Sequence, residues 1–513
     1  MKYDHIVVGG GTAGCILAAK LSEDPGRPVL LLEAGPEYPD FEQLPGMLKY
    51  GWGLINLQAR AANSPFNWSF TGKATPRQSE PMPVPRGKVL GGSSAINGQT
   101  FIRGAPEDFD TWASWGNDEW SYIKVLPYFR QIENDEDFRD DFHGTNGPVP
   151  VRRHKREDWP PLQEAFYQAC VSAGYPYNPD NHDPDATGVS RRAENNVDGV
   201  RMSMALTHIE PNRNRLNLTI KANVQVMRIV FSGNRATGSA VESGGERFLV
   251  EGDQITLCAV AVWSPQLPML SGIGPRYQLA PLDIPVVVDA PGVGQNMRDH
   301  PNVVVRFTVN EDRPDETVAR RALRLRYTAT ASPTPNDMIL SPSSLNTVVK
   351  EDVDPTHSIN CGLYLAVGKG ELRLVSTDPN VQPSMDYHYL EEPWDRERLR
   401  EAVRKCVRLL EDGAYGEIVN QRTAPTDADL SSDESLDDWM LRTVSTSFHI
   451  SGTCKMGVAD DPMAVVDQCL NVRGVQGLRI ADASVMPDVV RANTNVTTMM
   501  IAERAAEFIR DGR

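Results

Sequence analysis

Asp4-His-Ile-Val-Val8 runs directly into Gly9-Gly10-Gly11-Thr12-Ala13-Gly14, and apolar residues then recur at helical spacing from Ile16 to Leu21. This order predicts a buried strand, a glycine turn and a helix. Gly9 permits the tight turn, Gly11 lets a pyrophosphate approach the backbone, and Gly14 lets helix and strand pack closely. The pattern therefore predicts a dinucleotide site, with Thr12 and Ala13 among its contacts at the start of the helix.

A second apolar run, Pro28 to Leu32, ends at Glu33, nineteen residues after Gly14. An acid at this distance is placed to accept hydrogen bonds from an adenosine ribose, and Ala34 lies beside it. An acid rather than an arginine favours a ribose without a 2′-phosphate. FAD and NAD share this fingerprint, so these residues alone leave the dinucleotide open.

Composition excludes several classes of protein. The chain has 513 residues and 40% hydrophobic residues, enough for two or more folding units. Its net charge of −16 argues against nucleic acid as a partner, because lysine and arginine are not in excess. A small molecule is the expected partner.

Cysteine spacing and apolar runs bear on location. Seven cysteines occur without a CxxC pair, so we expect no metal site and a reducing, cytoplasmic setting. The strand pattern begins at Tyr3, which leaves no room for a signal peptide. The longest apolar runs, such as Leu257 to Trp263, are far shorter than the ~20 residues of a membrane helix, so no integral membrane segment is expected.

A second glycine-rich segment runs from Arg86 to Gly98. Its glycines and hydroxyls, including Gly91 and Ser93, suit a backbone held against a phosphate or a flat polar ring, although a structural loop could have the same composition. Residues 36–85, rich in Pro, Gly, Asn and aromatics, read either as a long excursion over a ligand or as an ordinary surface insertion.

Several segments together resemble one family. Arg86 to Gly98, followed by Phe101 to Gly104 and Asp108 to Trp112, is similar to the first signature of the glucose-methanol-choline (GMC) oxidoreductases. Ser264 to Pro275 is similar to the second signature, and Pro291 to Pro301 is a third familiar block. The resemblance covers nearly the whole chain and implies FAD rather than NAD.

The resemblance also implies a fold and further cofactor contacts. The expected class is α/β (α+β overall): a Rossmann-like FAD-binding domain from residues 1–148, 196–305 and 445–513, and a substrate domain from 149–195 and 306–444, with an antiparallel sheet flanked by helices. Some members tether FAD through a histidine that aligns with Ile96, so noncovalent FAD is expected. Implied cofactor contacts are Asn97 and Gly98 beside the flavin ring, Val226 at the adenine, and Asp482 and Ala483 at the end of the strand that begins at Leu478.

The chemistry is expected at His449, within the turn-rich stretch from Val444 to Gly457, together with Asn493. In the family, a histidine in an HxxGT block pairs with a His or Asn at this separation of 44 residues. An alcohol carbon gives up hydride readily only as its hydroxyl loses a proton, and a histidine is suited to accept that proton near neutral pH. Asn493 would donate a hydrogen bond to the alcohol oxygen and hold the carbon over flavin N5. Thr494 would open a helix whose positive end stabilises reduced flavin.

The predicted function is therefore FAD-dependent oxidation of a primary or secondary alcohol. Two alternatives on the same scaffold are a fatty-acid photodecarboxylase and a hydroxynitrile lyase. The substrate stays open, and so does the electron acceptor, whether O2, a quinone or another molecule.

The charged clusters Arg320 to Arg326 and Asp427 to Asp438 are expected to be solvated faces. A strand is expected over Asn302 to Val309, and an amphipathic helix over Asp395 to Glu411.

Overall fold

A computed structural model describes residues 2–52, 55–310, 321–343, 357–416 and 418–513. Two large sheets organise these residues, one of seven strands and one of eight. The twelve α-helices of the described residues are Thr12–Leu21, Gly46–Lys49, Ile55–Gln58, Pro106–Ser114, Tyr122–Ile132, Pro161–Ser172, Val260–Leu270, Arg276–Leu279, Pro393–Leu410, Asp427–Leu430, Asp433–Thr443 and Thr494–Arg510.

The first sheet has a parallel centre and an antiparallel extension. Tyr3–Val8 pairs in parallel with Val29–Leu32 on one side and with Glu246–Leu257 on the other. The spatial order is Leu218–Lys221, Val29–Leu32, Tyr3–Val8, Glu246–Leu257, Arg235–Ser243 and Gln225–Ser232, with Leu478–Ile480 also pairing with Glu246–Leu257. All residues of Val29–Leu32 are buried, as expected of a central parallel strand covered on both faces.

Glycines allow the first helix to pack directly on the first strand. A Cβ at Gly14 would lie 1.8 Å from the Gly9 carbonyl oxygen, so no larger residue fits there without moving the helix. The second glycine segment packs on the same turn: the Gly91 N–H donates to the Gly10 carbonyl at 2.7 Å, and a Cβ at Gly92 would lie 2.6 Å from Gly11 Cα. The two glycine-rich segments of the sequence therefore form one compact backbone unit.

The second sheet is antiparallel apart from the pairing of its edge strand Tyr177–Asn178. The strands, in spatial order, are Val419–Ala424, Pro301–Val309, His357–Leu363, Met338–Ser343, Leu323–Tyr327, Gly188–Arg191 and Tyr177–Asn178, with Ser445–Thr446 pairing with Pro301–Val309. Helices Pro161–Ser172 and Pro393–Leu410 pack on one face of this sheet. The opposite face is therefore free of these helices.

The remaining strands form small sheets of two or three members. They are Phe70–Gly72, Met82–Val84, Glu133–Asp135, Val149–Arg153, Ala193–Glu194, Asn196–Val197, Val200–Arg201, Ile273–Gly274, Val288–Asp289, Glu371–Arg373 and Ser384–Asp386. Short helices and two of these strands interrupt residues 36–85, which therefore contain more regular structure than the composition indicated.

The predicted fold class, a Rossmann-like sheet with a second antiparallel sheet flanked by helices, is confirmed. The proposed division of the chain into domain segments stays a prediction. The predicted strand over Asn302 to Val309 and the helix over Asp395 to Glu411 occur as Pro301–Val309 and Pro393–Leu410.

The interpretation of Arg320 to Arg326 as a solvated face is wrong. Arg320 lies outside the described residues, but Leu323–Tyr327 is a fully buried strand in which Arg324 and Arg326 are 4% and 3% exposed. The charges alternate with apolar residues because they occupy one face of this strand.

All seven cysteines are free, in agreement with the absence of paired spacing. Among the described helices, none combines the length and apolar character needed to cross a bilayer.

Candidate active site

A cleft opens at the carboxyl ends of the parallel strands, where doubly wound folds bind their ligands. Five of the residues predicted from the sequence line it: Gly9, Gly11, Glu33, Ala34 and Val226. Gly14 and Ala13 do not line the cleft, since Gly14 packs under the strand and Ala13 is buried. These two residues support the turn from its buried side.

Glu33 connects the glycine turn to the segment that follows the second strand. Its carboxylate accepts hydrogen bonds from the Gly10 and Gly35 N–H groups, both at 2.8 Å. Burial raises the pKa of Glu33 to about 7, although these two N–H donors oppose the shift. The acid is thus fixed directly after the second strand, in the lining of the cleft.

Two helices begin at one end of the cleft. The Thr12 hydroxyl donates to Asn495 Oδ1 at 2.8 Å, which joins the start of Thr12–Leu21 to the start of Thr494–Arg510. Helix N-termini present free N–H groups and a positive dipole end, so this corner favours negative charge. Asn495 Nδ2 and Asn493 Oδ1 are buried there and have no hydrogen-bond partner among the described residues.

The other predicted cofactor residues discussed below, from Ser93 to Asp482, are not part of the lining of this cleft. Ser93 accepts from the Gly87 N–H at 3.2 Å, and Asn97 accepts from the Gln99 N–H at 2.8 Å. A Cβ placed on Gly98 would meet nothing within 4 Å, so open space lies beside it. Asp482 accepts from the Ser264 hydroxyl at 2.5 Å and from the Ser484 N–H at 2.8 Å. Asp482 thereby links the start of helix Val260–Leu270 to the turn at Ala483.

His449 and Asn493 meet although 44 residues separate them. Asn493 Nδ2 donates to His449 Nε2 at 2.8 Å, and His449 is 8% exposed. Asn493 is the residue directly before the helix that begins at Thr494. A hydrogen-bond donor and a hydrogen-bond acceptor thus converge on one point beside a helix N-terminus, and a hydroxyl group, which both donates and accepts, complements that pair.

His300 is a site residue that the sequence reasoning missed. Its Nδ1 lies 2.8 Å from His449 Nδ1. With the Asn493 amide donating to Nε2, the proton of neutral His449 resides on Nδ1 and is donated to His300. The signal was available, because His300 belongs to the Pro291 to Pro301 block that resembles the family.

Asp299 holds the two histidines in place. Its Oδ1 accepts from the His300 N–H at 2.7 Å and from the His449 N–H at 2.9 Å, and its Oδ2 accepts from the Thr446 hydroxyl. Phe448 has φ +66, a left-handed conformation that its N–H bond to Thr446 Oγ1 at 2.7 Å helps to stabilise. A single buried acid therefore orients the turn that carries His449.

The electrostatics keep His449 neutral. Burial lowers its pKa to about 3, and the positive charges of Arg86 and Arg324 add to the effect. Burial and the neighbouring His449 lower the pKa of His300 well below the ordinary value. The imidazole is therefore in the form that can accept a proton at neutral pH.

These features fit a flavin dinucleotide. The glycine turn leaves open space at Gly11, where a Cβ would lie no closer than 3.9 Å to any atom, and the cleft continues past Glu33 to Val226. Buried polar atoms of Asn493 and Asn495 that have no partner among the described residues lie beside His449 and the start of the first helix. Fold and site together define a flavin-dependent oxidoreductase.

The chain belongs to the GMC oxidoreductase family, which matches residues 3–302 and 366–502. FAD is accordingly its cofactor. The predicted family and cofactor are confirmed, whereas the roles of the individual site residues stay predictions.

Similar proteins cover the chain from end to end. A GMC-type oxidoreductase of Rhodococcus erythropolis is 36% identical over 99% of this chain and 98% of its own length. An oxygen-dependent choline dehydrogenase of Burkholderia pseudomallei is also 36% identical, over 99% of this chain and 94% of its own. Among solved structures, pyridoxine 4-oxidase from Mesorbium loti has a TM-score of 0.91 and 29% identity, covering 99% of both chains.

Proposed function

We propose that this chain oxidises a primary or secondary alcohol to the aldehyde or ketone. The observation that carries the proposal is the buried meeting of His449 Nε2 and Asn493 Nδ2 at 2.8 Å beside the start of a helix. Two similar proteins named above, a choline dehydrogenase and a pyridoxine oxidase, are named for substrates that carry hydroxyl groups, which supports the same chemistry here.

In this proposal the substrate hydroxyl inserts between the two side chains. Its oxygen accepts the hydrogen bond that Asn493 now gives to His449, and its proton passes to His449 Nε2. Bound FAD supplies the acceptor for the hydride that leaves the carbon bearing this hydroxyl. His449 becomes an imidazolium, which His300 and the Asp299 carboxylate, hydrogen-bonded to the backbone of both histidines, stabilise.

The cofactor would be held without a covalent bond by the residues predicted from the sequence. Ile96, where some family members carry a linking histidine, offers no nucleophile. Gly9, Gly11, Thr12, Ala13 and Gly14 would form the pyrophosphate turn, Glu33 and Ala34 would contact the ribose, and Val226 the adenine. Gly91, Ser93, Asn97, Gly98, Asp482, Ala483 and Thr494 would complete the site. The free cysteines fit a cytoplasmic location, which is part of the proposal.

The test is anaerobic bleaching of the flavin against a panel of alcohols, followed by admission of air. His449→Gln should bind FAD and slow bleaching by ~10²–10⁴-fold, because the proton acceptor is lost. His388→Asn, at a partly exposed histidine paired with Glu391, is the matched control and should bleach normally. Fast recolouring in air indicates O2 as the electron acceptor, and slow recolouring indicates another acceptor.

Unchanged bleaching in His449→Gln would refute the assigned base. Turnover of a cyanohydrin without bleaching would favour a lyase instead, and light-dependent release of carbon dioxide from a fatty acid would favour a photodecarboxylase.

A further inference from the structure

One face of the strand Leu323–Tyr327 carries two buried arginines. In sheet register, Val189, Leu325, Leu340, Cys361 and Val303 form an apolar row, and Cys361 Sγ contacts the helix residue Ala402 at 3.8 Å. Arg326 belongs to the neighbouring row with Gly188, Ile339, Gly362 and Asn302, and Arg324 lies opposite Ser190. Side chains alternate along a strand, so both arginines project from the other face of the sheet. Helices Pro161–Ser172 and Pro393–Leu410 do not cover that face.

The face of the sheet that carries the arginines lies close to the pair His300 and His449. A Cβ at Gly362 would lie 2.9 Å from Tyr364 Cε2, so the Tyr364 ring covers the sheet beside the row that contains Arg326. The same ring stacks on His300 with centroids 4.0 Å apart and lies 6.3 Å from His449. Tyr364 therefore separates the arginine strand from the catalytic histidines by a single ring.

Arg324 has no partner for its charge among the residues that the structure describes. Within the residues that the structure describes, its Nε and Nη1 are buried and form no hydrogen bond or ion pair. In the same described ranges Arg326 Nε is also unpartnered, and its Nη2 donates to the Arg491 carbonyl at 3.4 Å. The nearby acid Asp108 is already paired with Arg491 at 2.7 Å. Buried charges are normally paired, so an unpaired guanidinium beside a reaction centre indicates a missing anion.

We propose that Arg324, with Arg326 and Tyr364 beside it, binds an anionic group, a carboxylate or a phosphate, on the alcohol that His449 deprotonates. This rests on the proposed function and narrows its substrate to hydroxy acids or phosphorylated alcohols. A planar guanidinium presents a fork of donors that matches either anion. A quaternary ammonium group would instead meet like charge at the same place.

The test compares alcohols that differ only in the remote group. In the wild-type flavoprotein, kcat/KM for para-hydroxymethylbenzoate or para-hydroxymethylphenyl phosphate should exceed that for para-hydroxymethylbenzamide by about tenfold or more. The trimethylammonium analogue should be poorer than the amide. The aliphatic pair hydroxybutyrate and hydroxybutyramide repeats the comparison without a ring. The preferred anion distinguishes carboxylate from phosphate.

Variants then assign the preference to Arg324. Arg324→Met should bring the anion-to-amide ratio close to one, and Arg324→Lys should restore part of it. Arg247→Met removes an arginine that is 72% exposed in its side chain and should leave the ratio as in wild type. Equal use of amide and anion by wild type, or a ratio that Arg324→Met does not change, would overturn the proposal.

A binding measurement separates this inference from the proposed oxidation. Para-toluate and para-toluamide lack the hydroxyl, and their binding to the flavoprotein is followed by the shift in flavin absorbance. Tighter binding of toluate that Arg324→Met abolishes supports the anion site even if no alcohol bleaches the flavin. Equal binding of the two compounds rejects the anion site whatever the alcohol panel shows.

Discussion

At the scale of single residues, His449 depends on His300. Asn493 donates to His449 Nε2 and His300 lies 2.8 Å from His449 Nδ1, so His300 fixes which nitrogen carries the proton. We expect His300→Leu to slow flavin reduction by ~10–100-fold, part of what general base catalysis contributes. His300→Asn keeps a hydrogen-bond acceptor near the same position and should restore most of the rate. The measurement is stopped-flow reduction by a saturating alcohol.

Equal loss in the leucine and asparagine variants would indicate that His300 acts through packing under Tyr364 rather than through its nitrogen. FAD content, measured by absorbance, controls for a disturbed cofactor site.

At the scale of elements, the glycines of the first turn have two different roles. One allows the first helix to pack against the first strand, and another leaves space for the cofactor. A Cβ at Gly14 would lie 1.8 Å from the Gly9 carbonyl oxygen, whereas a Cβ at Gly11 would meet open space. We expect Gly14→Ala to destabilise the deflavinated protein by about 1–3 kcal/mol, the usual range for overpacking. Gly11→Ala should leave that stability near wild type and weaken FAD binding at least tenfold, because the methyl group occupies the place of the pyrophosphate. Thermal unfolding and flavin titration measure the two effects.

A normal melting temperature for Gly14→Ala, or normal FAD affinity for Gly11→Ala, would contradict this division of roles.

The elements also show what a sequence can predict. The turn from Gly9 to Gly14 was predictable because its geometry is local: strand, glycines and helix follow one another within a few residues. The contact of His449 with His300 spans 149 residues and depends on how strand Pro301–Val309 pairs with Ser445–Thr446, which no local pattern encodes. The alternation of charged and apolar residues around Arg324 is typical of a strand. The same alternation cannot show whether the charged face of the strand is exposed to solvent or buried, and for that reason the expectation of a solvated face was wrong.

At the scale of the whole molecule, buried histidines link stability to pH. Burial lowers the pKa values of His5, His208 and His449 to about 3 and that of His154 to about 4. Below pH ~6.5 the unfolded chain binds protons at these residues and the folded chain does not, so stability falls as pH falls towards 4. Glu33 acts in the opposite sense, since its pKa is raised to about 7. Burial also lowers the pKa values of His182 and His300, which act with these four histidines, and raises those of other carboxyl groups such as Asp108, Asp299 and Asp482, which act with Glu33. Unfolded histidines titrate at higher pH than unfolded carboxyl groups, so the loss of stability dominates between pH 7 and pH 5.

We therefore expect the free energy of unfolding, measured by denaturant titration with FAD in excess, to decrease steadily from pH 7 to pH 5. Each buried histidine contributes about 1.4 kcal/mol per pH unit once the unfolded residue is fully protonated. His5→Gln isolates one contribution, because glutamine can keep a hydrogen bond to Thr256, now 2.9 Å from His5 Nε2, and cannot titrate. Its stability should fall less steeply with decreasing pH than that of wild type. Parallel curves for the two proteins would show that His5 is protonated in the folded state, in conflict with its burial in the first strand.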